Sequence, residues 1–166
     1  LLRTPDGTRD RQLVYGEPVT VYEDRQGWSF LQAAKDSYVG YMPGTALTAQ
    51  FEATHWVSAP ATHSYSADDF KSPETQALSH GSRVQVLGGT GRFLETGLGF
   101  IPARHLSPLG AHAADPVAVA ELFLGTPYLW GGNSRFGIDC SGLVQAALLA
   151  CGTACPGDRN MQEAEL

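Results

Sequence analysis

The sequence repeats itself. Leu13-x2-Gly16-Glu17-x-Val19-x-Val21 returns as Leu78-x2-Gly81-Ser82-x-Val84-x-Val86 at one constant offset. At a slightly shorter offset, Gly40-Tyr41-Met42-Pro43 and Leu47 return as Gly99-Phe100-Ile101-Pro102 and Leu106. Between them, Gly27 and Trp28 are echoed by Gly91 and Phe93, so the second copy has a shorter middle hairpin. A repeat that keeps turn glycines, alternating valines and a Gly-aromatic-x-Pro corner is a duplicated structural unit. Both copies read as β. Val19/Val21 and Val84/Val86 alternate with polar neighbours, as half-buried strands do. Glu23-Asp24-Arg25-Gln26-Gly27 and Gly88-Gly89-Thr90-Gly91 carry turn chemistry. Trp28-Ser29-Phe30-Leu31-Gln32 and Arg92-Phe93-Leu94-Glu95 are second strands. Each copy has about 60 residues, near the lower limit for independent folding, and closure into a barrel removes exposed edges. The repeat predicts two small β-barrels, over residues 1–50 and 55–108. One sandwich built from both halves is the alternative.

After Pro108 the character changes. Small residues at 111–114 form a linker. Asp115-Pro116 pairs an N-cap with proline at the first helical position, and Gly125 stops a short helix. A loop over 126–137 follows. A second helix starts near Cys140, with Leu143, Val144, Ala147, Leu148 and Cys151 on an apolar face and Gly152 at its end.

Within Gly137-Ile138-Asp139-Cys140-Ser141-Gly142, Asp139 is placed to cap that helix and Cys140 falls in its first turn. Helix N-termini carry about half a positive charge, which holds a cysteine toward its nucleophilic anion. Their free N–H groups can also meet an oxyanion. Position alone leaves open whether Cys140 is a nucleophile or a small core residue.

Each copy of the repeat resembles the bacterial SH3 domain. Thr126-Pro127-Tyr128-Leu129-Trp130-Gly131-Gly132, followed by Asp139-Cys140-Ser141-Gly142-Leu143-Val144, resembles the NlpC-type cysteine peptidases, papain-like enzymes that cut peptidoglycan peptides. Cys155-Pro156-Gly157-Asp158 with Gln162 is similar to the Pro-x-Asp…Gln segment of that family, with Arg159 where a small polar residue is common. The resemblance covers about residues 115–166. Two SH3 domains ahead of an NlpC-type domain resemble the group of γ-D-glutamyl-L-diamino-acid endopeptidases, in which the first SH3 domain borders the cleft and restricts substrates to short peptides with a free L-Ala.

The fold this implies is multidomain α+β: two SH3-like barrels, then the N-terminal helical part of a papain-like domain over 115–166, whose sheet part is expected outside this chain. The resemblance makes Cys140 the nucleophile. Tyr128 would point its hydroxyl toward Cys140. Asp139, Ser141 and Asp158 would line the cleft, with capping or turn roles as alternatives. Glu17, with Tyr38 or Tyr41 beside it, would meet the ammonium of L-Ala, since the second copy has Ser82 in that place; a solvated strand-end acid is the alternative. A thiol peptidase also needs a base within reach. The family places its histidine after the nucleophile, and all five histidines here precede Cys140. The chain alone is therefore expected to hydrolyse poorly.

Composition narrows the remaining choices. Charged residues make up 17% and the net charge is −6, without a basic patch, which disfavours nucleic-acid binding. No apolar run reaches the ~18 residues of a membrane span. Three late cysteines without a Cys-x2-Cys pair give neither a disulfide framework nor a zinc set. The expectation is a cofactor-free, monomeric, cytoplasmic enzyme acting on murein peptides. A non-catalytic module that holds wall peptides is the alternative.

Overall fold

A computed structural model describes residues 1–89 and 91–165. Thr90 of the expected 88–91 turn, and Leu166 at the end of the expected 115–166 segment, lie outside the described residues. The first sheet is β1 (Val19–Arg25), β2 (Trp28–Ala33) and β3 (Val39–Pro43), antiparallel in that order. Arg25 pairs with Trp28 across Gln26 and Gly27. Both loop residues have positive φ (51° and 83°), the geometry that suits the twist of a two-residue hairpin.

The second copy carries β4 (His55–Val57), β5 (Ala61–Tyr65), β6 (Glu74–Ser79), β7 (Arg83–Val84), β8 (Val86–Gly88), β9 (Phe93–Thr96), β10 (Gly99–Pro102) and β11 (Leu106–Pro108). These form a five-stranded sheet, β6-β5-β10-β9-β8, and a three-stranded sheet, β11-β4-β7. The two copies share local devices. Gly16 and Gly81 both adopt left-handed φ (77° and 82°). Pro43 and Pro102 each end a strand and lead into a single 3₁₀ turn, Gly44–Ala46 and Ala103–His105. Proline has no N–H to continue the ladder, so the chain turns there in both. The sheets are open rather than closed rings of strands. Among the described residues the first copy has three strands and the second eight, and a connection within the repeat differs as well. Residues 34–38 join β2 to β3, whereas residues 97 and 98 alone join β9 to β10.

Their cores are also unequal. The second copy buries Val57, Leu78, Val84, Ile101 and Leu106, with Tyr15 from the first segment packed on them. In residues 1–50 the buried apolar side chains are Leu1, Leu31 and Ala33. The expected half-burial of β1 holds at Val19 but not at Val21, which is 39% exposed on this edge strand.

The rest is helical: α1 (Pro116–Glu121), a hairpin of β12 (Asn133–Ser134) and β13 (Gly137–Ile138) inside the expected loop, α2 (Cys140–Ala150) and α3 (Arg159–Glu165). Asp115 caps α1 by accepting from Val117 N–H (2.8 Å). α1 and α2 pack through Val119, Ala147 and Ala150 against Trp56 of β4. The inward face of α2 is not the apolar stripe expected from Leu143, Val144, Ala147, Leu148 and Cys151. Its buried residues are Ser141, Gly142, Gln145, Ala147 and Ala150, while Val144 is exposed. Gln145 faces inward because its amide is matched by polar groups from three other segments.

Candidate active site

Asp139 begins the site. Its Oδ1 accepts from Gly142 N–H (2.7 Å), capping α2, and its Oδ2 accepts from Gly131 N–H (2.9 Å). One carboxylate thereby ties the Trp130-Gly131-Gly132 loop to the first turn of the helix. Only glycine serves at 131: φ is +65°, and a Cβ there would lie 2.6 Å from the Asp10 carbonyl oxygen. At Gly142 a Cβ would meet the Gly132 carbonyl oxygen at 2.5 Å. Gly131 is what the close approach of the loop to the first segment requires, and Gly142 what the approach of loop and helix requires.

Cys140 follows the cap as a free, exposed thiol on the first residue of α2. First-turn N–H groups have no partner four residues back, so donors that can meet an oxyanion lie beside the sulfur. Ser141 is buried and donates to Asp139 Oδ1 (3.1 Å). Tyr128 is 67% exposed and bridges in parallel to Ile138, which sets it against the strand leading into Asp139 and Cys140. Cys155, by contrast, is buried beneath Gln162, and burial pushes its thiol above the ordinary value. Cys151 is partly buried.

Behind this surface lies a polar seam. Gln145 is fully buried; its Nε2 donates to Asp36 Oδ2 (2.8 Å) and to the Cys155 carbonyl (3.0 Å), and its Oε1 accepts from Asn133 Nδ2 (3.3 Å). Gln162 Nε2 donates to the carbonyl oxygens of Ser141 (3.0 Å) and Pro156 (2.8 Å). Arg11, 1% exposed, reaches in from the first segment, with Nη1 3.7 Å from Asp139 Oδ1 and Nη2 donating to Ser141 Oγ at 3.5 Å. Its guanidinium carbon lies 5.8 Å from the centre of the Tyr38 ring. Burial raises the Tyr38 phenol above its usual value, and the negative charges of Asp158 and Asp10 add to that. Asp158 is exposed at the start of α3, where its carbonyl accepts from Met161 and Gln162 N–H. Arg159 faces solvent in an ion pair with Glu163 (3.0 Å).

The structure therefore places Asp139, Cys140 and Ser141 at the start of α2, with Tyr128 bridged to the strand before them and Tyr38 reached through Arg11, where the charge of Asp158 acts on it. It does not bring Glu17 or Tyr41 there. Glu17 Oε1 is paired with Lys35 Nζ (2.6 Å) and its Oε2 accepts from Val14 N–H (3.0 Å), both nearly buried. Each oxygen thus already has a partner inside the fold, so Glu17 is not the solvated strand-end acid weighed from the sequence. Glu17 instead lines a cavity of about 140 Å³ with Lys35, Trp56, His80 and the later α2 residues Ala146 and Ala150. Tyr41 packs on Phe30 (ring centres 5.1 Å apart), and its backbone pairs with Leu2. Arg11, Asp36 and Gln145 were not singled out from the sequence. A lone glutamine in an almost wholly apolar helix was the one signal available.

Comparison with known proteins follows the same division. Residues 1–47 match the family described as the bacterial dipeptidyl-peptidase SH3 domain, and residues 125–165 match the NlpC/P60 family. A γ-D-glutamyl-L-lysine dipeptidyl-peptidase of Bacillus subtilis (strain 168) is 28% identical over 173 residues, covering 95% of this chain and 58% of the relative. A dipeptidyl-peptidase 6 of Lysinibacillus sphaericus is 28% identical over 167 residues, covering 85% of this chain and 61% of that protein. The crystal structure of an NlpC/P60 family protein from Bacillus cereus ATCC 10987 shares the fold with a TM-score of 0.81 at 23% identity, over 94% of this chain and 59% of that one. The chain thus spans about three fifths of the length of the proteins it matches.

Proposed function

We propose that this chain belongs to a cysteine peptidase that hydrolyses the γ-D-glutamyl bond to the diamino acid in murein peptides. The observation that carries this is the exposed Cys140 thiol on a helix start whose cap, Asp139, is locked on both oxygens. The NlpC/P60 match over 125–165 and the dipeptidyl-peptidase relatives support the substrate class.

In the proposed reaction the Cys140 sulfur attacks the γ-carbonyl carbon. The developing oxyanion faces the first-turn N–H groups. A base takes the thiol proton and passes it to the leaving amine, leaving a γ-glutamyl thioester that water hydrolyses. The five histidines lie between residues 55 and 112. None is among the groups hydrogen-bonded around Asp139 and Ser141.

The amino end of a short peptide is proposed to lie against Tyr38 and Asp158. Asp158 and Asp10 act on the Tyr38 hydroxyl against Arg11 and Arg3, and Arg3 already pairs with Asp10 (2.8 Å), which leaves Asp158 as the acid offered to an ammonium. An N-acylated peptide brings no charge to that acid and more bulk. The test is hydrolysis of L-Ala-γ-D-Glu-L-Lys and its N-acetyl form by the full-length protein, with Cys140→Ala and Asp158→Asn. Cys140→Ala is expected to abolish turnover. Asp158→Asn is expected to lower kcat/KM on the free peptide about 10- to 100-fold, as loss of a charge-assisted bond does, with little change on the acetylated one. Full turnover by Cys140→Ala excludes the peptidase reading. Tight binding of the peptide without any turnover by the wild type identifies a binding module instead.

A further inference from the structure

Arg11 is the one charged side chain that the first segment buries completely against the start of α2. A guanidinium out of water is costly unless anions and acceptors surround it. Here Asp139 and Ser141, the two neighbours of Cys140, face its Nη atoms, the first as an ion pair at 3.7 Å and the second as an acceptor at 3.5 Å. Gly157 packs over this group: a Cβ there would lie 2.8 Å from Arg11 Nη2 and 3.0 Å from Arg11 Nε, so only glycine leaves room for the guanidinium, whose buried Nε has no hydrogen-bond partner. The Tyr38 ring lies 5.8 Å from the guanidinium carbon. Cys140 itself is exposed, and the residues on either side of it in the chain are the two that face Arg11. Asp36 and Tyr38 belong to the connection 34–38, which has only residues 97 and 98 as its counterpart in the second copy.

We propose that Arg11 is a positioning residue for the nucleophile. Its planar fork spans Asp139 and Ser141, and the Tyr38 ring from the longer connection of the first copy lies beside it. The orientation of Cys140 therefore depends on the docking of the first segment. This rests on the reading of Cys140 as nucleophile.

The test is alkylation by iodoacetamide at fixed pH in the 166-residue chain, with rates at each cysteine resolved by mass spectrometry. Cys151 serves as the internal standard. Arg11→Lys keeps the charge and loses the fork. It is expected to slow Cys140 about tenfold relative to Cys151, as misplacement of a reacting group does, while far-UV circular dichroism stays unchanged. Ser141→Ala is expected to slow Cys140 as well, and the double variant to be no slower than the slower single one. A merely structural arginine would shift the melting temperature and leave the Cys140-to-Cys151 ratio alone; that result, or additive effects in the double variant, overturns the proposal. Should Arg11→Lys fail to fold, Tyr38→Leu carries the test, since it removes the ring beside the guanidinium without removing the guanidinium. It must slow Cys140 in the same way, and an unchanged ratio overturns the proposal equally. A wild-type Cys140 no faster than Cys151 overturns both this proposal and the nucleophile reading. A fast Cys140 indifferent to these variants overturns this proposal alone.

Discussion

His80 shows how one residue ties pH to stability in this molecule. It is buried, with its ring edge-on to Trp56 (5.3 Å) and Phe123 (5.6 Å), and its Nδ1 faces the carbonyl oxygens of Ser58 and Ala59. Nδ1 is thus the protonated nitrogen, and Nε2 has no partner. Burial lowers its pKa below the ordinary 6.5, outweighing the two carbonyls that favour the charged ring. The unfolded chain then binds a proton more readily than the folded one. Stability is complete above about pH 6.5 and is lost as pH falls from there toward the folded-state value. His105, lowered by burial and by Arg104, acts in the same direction. Melting temperature followed from pH 7.5 to pH 5 should therefore fall in the wild type and fall less in His80→Phe. Equal slopes for the two proteins would show that His80 is not a source of the acid sensitivity.

At the scale of elements, α2 separates what local sequence encodes from what tertiary partners decide. Its start was legible because a cap, a small residue and a first-turn thiol are contiguous in Asp139-Cys140-Ser141-Gly142. Its end was legible from Gly152, whose φ is 78°. Its buried face was not. Apolar periodicity pointed to Val144 and Leu148, yet the residue with no exposure at all is Gln145. Periodicity reports which residues avoid water, and it cannot report that Asp36, Asn133 and the Cys155 carbonyl lie opposite one amide. The same limit hid Arg11, whose partners Asp139 and Ser141 are far away in the chain, and it let Glu17 pass as a free acid when Lys35 already holds it. Gln145→Leu conserves size and leaves Asp36 and Asn133 without their buried partner. Unsatisfied buried groups cost about 1–3 kcal/mol each, so the loss should be about 3 kcal/mol. Urea unfolding monitored at the tryptophans would measure it. A loss under about 0.5 kcal/mol, the range of ordinary surface substitutions, would mean that water replaces the amide and the seam is loose.

For the whole molecule, the repeat was legible as two β segments with shared turns, but the closed barrels expected from it are open sheets of different size, and their unequal dependence on the rest was not legible. The shared glycines and proline corners are local in sequence and recur in the structure. The cores diverge, because the first unit buries Leu1, Leu31 and Ala33, whereas the second buries five large aliphatic residues in one cluster. Other contacts of the first unit point outward. Tyr15 packs into the second core, Gln12 accepts from Asn133 N–H (3.0 Å), Arg9 donates to the Trp130 carbonyl (3.0 Å), and Asp36 and Arg11 grip α2. A sheet of three strands with one open edge and so small an apolar core buries too little surface to offset its ordering entropy. Its stability must come from the seam. Residues 1–50 produced alone should therefore show no cooperative thermal transition in circular dichroism, while the 166-residue chain should melt in one transition that includes the first sheet. Hydrogen exchange supplies the second measurement. The amides of Leu31 and Ala33, central in the first sheet, should exchange at nearly the rate of those in α2, because both open only when the seam opens. A cooperative melt of the isolated 1–50 piece, or exchange in the first sheet far faster than in α2, would establish the first unit as an independent domain. Docking of that unit would then be a binding equilibrium, and the geometry around Cys140 would no longer be tied to the folding of the chain.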